Sequence, residues 1–143
     1  KSVDEVWHAG DVGNVDVLNE FAKICKVYAV YGNIDGADVR LQTKEFVNFE
    51  SGGARVLMTH IGGYPGKYYA GIKQKIVDYK PSILVCGHSH ILKVISDTSN
   101  NLLFLNPGAI GKSGFHTVRT MLKFEIVDGI PKNLCVVEYE RKM

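Results

Sequence analysis

A short apolar run, SILVC at residues 82–86, constrains the fold more than any other segment. A strand without a polar alternation is buried on both faces, which requires a sheet that is covered on both sides. The run follows residues 69–80, whose apolar spacing predicts a helix that Pro81 ends. Strand-type and helix-type segments alternate along the rest of the chain, so we predict an α/β domain.

The remaining segments follow the same alternation. A second helix is predicted at residues 15–24, and further strands are predicted at residues 4–9, 26–31, 44–50, 54–59, 92–96, 102–105, 117–127 and 134–139. Glycine- and asparagine-containing pairs predict hairpin turns at residues 51–53, 100–101 and 128–129. The chain has 143 residues and shows no repeat or linker, so we predict one domain over residues 1–143.

Composition narrows the functional classes. The chain is 45% apolar and has a formal net charge of +2, which is too small to predict a stable nucleic-acid partner. No apolar run approaches the roughly 20 residues of a membrane span, so no membrane association is predicted. Three widely spaced cysteines, Cys25, Cys86 and Cys135, are read as buried apolar residues of a reducing compartment, which predicts a cytoplasmic location.

Polar side chains stand where four of the predicted strands end. These are Asp11, Asn33, His60 and the pair His88 and His90, and glycines precede most of them. In open α/β sheets, ligands bind beyond the carboxyl ends of the strands. Each element alone is typical of a turn or of a core histidine, but four in succession indicate a shared site.

Binding of divalent metal ions is the chemistry that these residue types share. Imidazole and carboxylate suit transition-metal ions, and a carboxylate can bridge two of them. If the backbone is extended, His88 and His90 point the same way and each can reach one of two ions about 3.5–4 Å apart. A structural site for a single zinc ion fits less well, because the set lacks cysteine and is rich in oxygen donors.

The chain resembles the calcineurin-like metallophosphoesterase superfamily in an ordered set of motifs: Gly10-Asp11, Gly32-Asn33, His60, Gly87-His88-Ser89-His90 and Asn106-Pro107-Gly108. Within it, the chain looks like the small single-domain phosphodiesterases of bacteria and archaea, to which the retromer small subunit is also similar. The resemblance covers essentially the whole chain. It implies a four-layer αββα fold, a two-sheet β-sandwich flanked by helices, with two metal ions at one edge.

The resemblance also implies a role for each residue. Asp11 would bridge two divalent ions, with Mn expected and Ni, Fe, Zn or Mg as alternatives. Asn33, His60 and His88 would complete the ligands of the second ion, and His90 would bind the first. Apart from the resemblance, we predict that Asp35 orients one of the ligands without binding metal itself, or else only caps the segment that follows it.

Two departures from the family pattern qualify these expectations. The family's first ion also takes an Asp and a His from a D-x-H motif, and the sequence contains none before Asp11. We therefore expect a chain that starts at Lys1 to lack the family's first strand and helix, to bind one ion weakly or none, and to turn over poorly. Ile34 stands where many members carry a proton-donating histidine, which favours substrates with good leaving groups or protonation by water.

The implied function is hydrolysis of small phosphate esters, phosphodiesters above all, by a hydroxide that bridges the two metal ions. Lys67, in the glycine-rich residues 62–67, is predicted to face phosphate, with a plain surface turn as the alternative. The competing function is a non-catalytic protein-binding scaffold on the same fold. The complete ligand set favours the enzyme, and the resemblance implies a homodimer.

Overall fold

The structure, a computed structural model, describes residues 3–140. The domain predicted over residues 1–143 therefore extends beyond the described part at both ends. The helices are α1 (Val15–Ala22), α2 (Ala37–Gln42) and α3 (Ala70–Tyr79). The strands are β1 (Glu5–His8), β2 (Lys26–Ala29), β3 (Phe46–Ser51), β4 (Ala54–Thr59), β5 (Ile83–Cys86), β6 (Leu92–Asp97), β7 (Leu102–Pro107), β8 (Val118–Val127) and β9 (Ile130–Glu140).

The largest sheet is five-stranded and has the order β3-β4-β5-β7-β6. Its three inner strands are parallel, and β3 and β6 pair antiparallel with them at the two edges. The SILVC run forms β5 in the middle of the sheet, and all four of its strand residues are buried. The prediction that this run is a strand covered on both faces is confirmed.

One face of this sheet packs against the other strands. Alternate residues of β4 and β5, such as Val56, Met58 and Ile83, lie in a core cluster with Val30 and Ala9. Side chains of β1, β2 and the β8–β9 hairpin pack on the same cluster, including Trp7, Tyr28, Leu122, Phe124 and Ile126. The β1–β2 pair and the hairpin therefore form a second β-layer over the first.

Helices cover the two outer faces. Ile72 and Ile76 of α3 pack with Leu57, Leu84 and Phe104, which point to the other side of the five-stranded sheet. Leu18 of α1 and Val39 of α2 form a third cluster against Val27 and Ala29 of β2. The predicted α/β fold is confirmed, with helices on the outside of the strand layers, and the described strands form three sheets of five, two and two strands.

Local signals placed two of the three helices. Asn14 caps α1 by accepting a hydrogen bond from the amide of Asp16 at 2.9 Å, and Ala70–Tyr79 matches the predicted position of α3. Ile72 and Ile76 are the buried residues of α3, whereas Val77 is 63% exposed. Within the described residues, no helix is long and apolar enough to span a membrane.

Candidate metal centre

The strand ends that carry the predicted ligands meet between the two β-layers. β1 and β2 are parallel neighbours, so Asp11 and Asn33, which follow them, leave the same edge. β4 and β5 are also parallel neighbours, and His60 and His88 follow these strands. A direct contact joins the two pairs, because Nδ1 of His60 lies 2.7 Å from the carbonyl oxygen of Ala9.

The buried ring of His60, 4% exposed, is the centre of the cluster. A carbonyl oxygen only accepts hydrogen bonds, so Nδ1 donates to Ala9, and Nε2 faces the cluster. Nε2 lies 2.9 Å from Oδ1 of Asn33 and 3.3 Å from Oδ2 of Asp11. One nitrogen and two oxygens, all possible metal-ligand atoms, therefore meet in one place.

His88 belongs to the same group through Asn33. Its Nδ1 lies 3.1 Å from Oδ1 of Asn33, and its ring centroid lies 5.2 Å from that of His60. Ligand atoms about 2.0–2.2 Å from a metal ion lie roughly 2.9–3.5 Å from their neighbours around that ion. The separations of 2.9, 3.1 and 3.3 Å in the cluster are of this size, so the four side chains Asp11, Asn33, His60 and His88 would fit one divalent ion in chemistry and in spacing.

The amide of Asn33 is essential to this fit. In the part of the chain that the structure describes, no three His, Cys, Asp or Glu side chains form a metal-binding group by themselves. The oxygen of Asn33 supplies the contact that links His60 to His88. His60 also shows the arrangement usual for a metal-bound histidine, whose second ring nitrogen donates to a backbone carbonyl and fixes the ring.

The turn from Gly87 to His90 differs from the sequence prediction. His88 and His90 have φ values of 68° and 61°, which are left-handed and not extended. The amide of Ser89 donates to the carbonyl of Gly87 at 2.8 Å and bends the chain there. The extended geometry expected for this pair is therefore wrong. The ring of His90 packs edge-on against that of His116, with centroids 5.4 Å apart.

His90 is nevertheless close enough to the cluster to respond to its charges. Burial lowers the pKa of His90, and His116 lowers it further, whereas Asp11 raises it and His88 and His60 lower it. The balance favours the neutral imidazole, which is the form that binds metal ions. Four predicted ligands are thus joined by direct contacts, and His90 lies beside them.

Asp35 holds the two loops that carry Asp11 and Asn33. Its buried carboxylate accepts hydrogen bonds from three backbone amides, those of Val12 at 3.0 Å, Gly13 at 2.8 Å and Gly32 at 2.8 Å. Burial raises the pKa of Asp35, but these three bonds together with the nearby His8 outweigh it, and the net pKa is lowered. The carboxylate therefore stays ionised and ties the loop after β1 to the loop after β2.

Glycine is required at two points by close approach. An added Cβ at Gly32 would overlap the carboxylate of Asp11, and one at Gly10 would lie 2.6 Å from Nδ1 of His60. Gly10 also has a φ of 99°, which other residues rarely adopt. The glycines that precede the ligands in sequence thus provide the room in which those ligands pack.

Asn106 supports the histidine turn from the neighbouring strand β7. It is 3% exposed, and its Nδ2 donates to the carbonyl of Gly87 at 3.0 Å and to Oγ of Ser89 at 3.1 Å. Its Oδ1 accepts from the amide of Gly108 at 3.0 Å. The sequence placed Asn106 in a motif but gave it no role, because the contact with Gly87 depends on strand pairing.

Comparison with known families agrees with this geometry. The family model described as the calcineurin-like phosphoesterase superfamily domain matches residues 1–129. The chain belongs to this superfamily.

Individual relatives of this phosphoesterase domain support the assignment. A protein named "Probable metallophosphoesterase" from Methanothermobacter thermautotrophicus is 27% identical over 111 residues, which is 76% of this chain and 62% of that protein. This chain therefore spans less than two thirds of that relative's length.

Solved structures show the same fold. A predicted phosphoesterase of Streptococcus pneumoniae has a TM-score of 0.71 at 23% identity. The match covers 98% of this chain and 75% of that protein. Vps29 of Entamoeba histolytica, in a structure with Zn²⁺, has a TM-score of 0.71 at 18% identity, with 98% of this chain and 83% of that chain covered.

The predicted substrate residue Lys67 lies outside the ligand cluster of this phosphoesterase domain, in the lining of a pocket beside His88. Lys93 and Tyr64 line the same pocket, and Nζ of Lys93 lies 4.2 Å from the centroid of the Tyr64 ring. Lys93 was not singled out from the sequence. Its pairing with Tyr64 is a tertiary contact, so no local pattern indicated it.

Proposed function

We propose that this chain is the metal-binding domain of a hydrolase that cleaves phosphate esters, phosphodiesters above all. The observation that supports it most is the contact of His60 Nε2 with both Asn33 and Asp11, on a ring whose other nitrogen is tied to Ala9. Asp11, Asn33, His60 and His88 would hold one divalent ion, and Asp11 with His90 would contribute to a second. Manganese is the ion we expect, with Ni, Fe, Zn or Mg as alternatives.

A bound divalent ion supplies two things in such a site, a water of lowered pKa and neutralisation of the charge on the phosphoryl oxygens. The residues of the chain do the rest. Asp35 keeps the Asp11 and Asn33 loops in register, and the amide of Ile34 donates to Oδ1 of Asp11 at 3.1 Å, which fixes the carboxylate. Asn106 holds the turn that carries His88.

Ile34 limits the range of substrates. Its side chain is 65% exposed next to Asn33 and has no proton to donate to a leaving group. Esters whose leaving group departs as a stable anion, such as aryl esters, are therefore the expected substrates. Alkyl esters would need protonation by solvent water.

The test uses the full-length protein, with elemental analysis and turnover of bis(4-nitrophenyl) phosphate with and without added manganese. Asn33→Ala removes the oxygen shared by the two histidines and should lower metal content and reduce turnover by roughly 100-fold. Asn48→Ala is the matched control, because Asn48 lies exposed on β3, away from the cluster. It should keep both properties.

A non-catalytic protein-binding scaffold is the competing function. The fold shared with Vps29 is the observation in favour of the scaffold. At 18% identity, this similarity shows the fold and not the function. A full-length protein that binds no metal and shows no manganese-dependent turnover would contradict the hydrolase and favour the scaffold. Metal-dependent turnover that Asn33→Ala leaves unchanged would contradict the assigned ligands.

A further inference from the structure

A pocket of about 360 Å³ opens beside the metal cluster and shares His88 with it. Buried residues, among them Gly62, Phe104 and Asn106, lie at its base. Exposed residues of the 61–67 segment and of the histidine turn form its rim. Because His88 lines the pocket, a group seated in it would lie beside this proposed ligand.

The charged side chains that line the pocket are all positive. Lys67 and Lys93 line it, and none of its lining residues is acidic. The two lysines come from separate elements, Lys67 from the loop before α3 and Lys93 from β6. Two ammonium groups without a carboxylate among the lining residues select for an anionic group.

Both lysines are held by local structure. The amide of Lys67 donates to the carbonyl of Tyr64 at 2.8 Å and closes a four-residue turn. Pro65 is the second residue of this turn, and Gly66, with a φ of 88°, is the third. The ammonium of Lys93 lies over the Tyr64 ring, a favourable cation–π contact. The same tyrosine therefore contacts the backbone of Lys67 and the ammonium of Lys93, and its ring offers an apolar surface in the pocket.

We propose that this pocket binds the second ester arm of a phosphodiester that carries an anionic group of its own on that arm. Lys67 and Lys93 recognise the anion, and Tyr64 with Phe104 contacts the apolar part of the arm. The inference rests on the proposed phosphodiester hydrolysis and adds the class of substrate. It also assigns specificity to residues that do not touch the metal cluster.

Two esters that differ only in charge test the proposal. 4-Nitrophenyl 4-carboxyphenyl phosphate and 4-nitrophenyl 4-carbamoylphenyl phosphate have the same leaving group and nearly the same shape. We expect the full-length, manganese-loaded protein to prefer the carboxylate by about tenfold in kcat/KM, as two partly exposed ion pairs would give. Lys93→Met should reduce the preference to about threefold, and Lys67→Met with Lys93→Met should abolish it.

Lys73→Met is the matched control, since Lys73 is exposed on α3 and does not line the pocket. It should keep the full preference. The double variant should lose about tenfold more kcat/KM on the carboxyl ester than on the carbamoyl ester, because only the carboxylate pairs with the lysines. An equal loss on both esters would mean that the lysines act without regard to the charge of the arm and would overturn the assignment of specificity.

A binding measurement separates this inference from the proposed function. Calorimetric titration with 4-carboxybenzylphosphonate and with 4-carbamoylbenzylphosphonate, whose phosphorus–carbon bonds are not hydrolysed, compares affinities without turnover. Hydrolysis of both esters at equal rates, with equal binding, would overturn the inference and leave the hydrolase intact. Charge-selective binding that the double variant loses, without hydrolysis of either ester, would overturn the proposed function and leave the anion pocket.

Discussion

Replacing Asp35 by asparagine tests how the loops of the site are held. The side chain is 4% exposed, and its two oxygens accept three backbone hydrogen bonds at 2.8–3.0 Å. Oδ2 accepts from Val12 and Gly32, and Oδ1 accepts from Gly13. An asparagine keeps one acceptor oxygen and turns an NH₂ group toward a backbone N–H at the other position.

The cost follows from these three bonds. Losing one bond to a charged acceptor costs about 1.5–3 kcal/mol, and weakening the other two from charged to neutral costs about 0.5–1 kcal/mol each. We therefore expect Asp35→Asn to lower the free energy of unfolding by about 2.5–5 kcal/mol. This is a large part of the roughly 5–15 kcal/mol available to a domain of ordinary stability.

The effect should depend on pH in one direction. Because the pKa of Asp35 is lowered in the folded state, its carboxylate stabilises the fold above the unfolded value of about 3.9. That stabilisation is lost as the pH falls through the folded value. The difference between the wild-type protein and Asp35→Asn should therefore be full near about pH 7 and shrink below about pH 4.

Urea unfolding of the full chain across this pH range measures the difference. Asp38→Asn is the matched control, because Asp38 is exposed in the first turn of α2 and should change stability by less than about 0.5 kcal/mol. Two results would refute the reasoning. One is an Asp35→Asn variant as stable as the control at neutral pH, and the other is a difference that grows on acidification.

The remaining predictions concern packing and thiol chemistry. Gly32→Ala should abolish metal binding, measured by elemental analysis, because its Cβ overlaps the Asp11 carboxylate. Gly71→Ala, on α3 with open space around it, should be neutral or stabilise by about 0.5–1 kcal/mol in urea unfolding. Burial raises the pKa of Cys86 to about 12, so a thiol reagent at about pH 8 should label exposed Cys135 and spare Cys86, checked by mass spectrometry. Labelling of Cys86 in the folded protein would contradict this.

The strands were predictable because each buried strand has a local run of apolar residues. Ala54–Thr59 and Ile83–Cys86 are apolar enough to be buried strands in any arrangement of the chain. Helix α2 was missed because it is six residues long, has a glycine N-cap without a side-chain bond, and buries only Val39. A helix of this length offers too few turns for a periodic signal to be visible.

The site residues were predictable in identity but not in backbone geometry. Strand ends pointed to Asp11, Asn33, His60 and His88, and these side chains do meet. The left-handed turn at His88 was missed, since it depends on Asn106, whose amide reaches Gly87 from β7. Local sequence spacing carries no information on such a contact between strands.

The distribution of left-handed residues supports the proposed metal site. Seven non-glycine residues of the described part have positive φ. Lys80 forms the C-cap of α3, and three others lie in the β-hairpin segments: Asn101, Asp128 and Asn133. The other three are Asp11, His88 and His90, all proposed metal ligands.

Strain of this kind costs about 1–3 kcal/mol for each residue, so it persists only where surrounding contacts compensate for it. At Asp11 the compensating contacts are visible, namely the amide of Ile34 and the ring of His60. For His90 the described contacts are the edge-on packing against His116 and the turn that Ser89 closes on the carbonyl of Gly87, which Asn106 also holds. The left-handed conformations of Asp11, His88 and His90 are therefore each held by contacts within the cluster or within the loops that carry it.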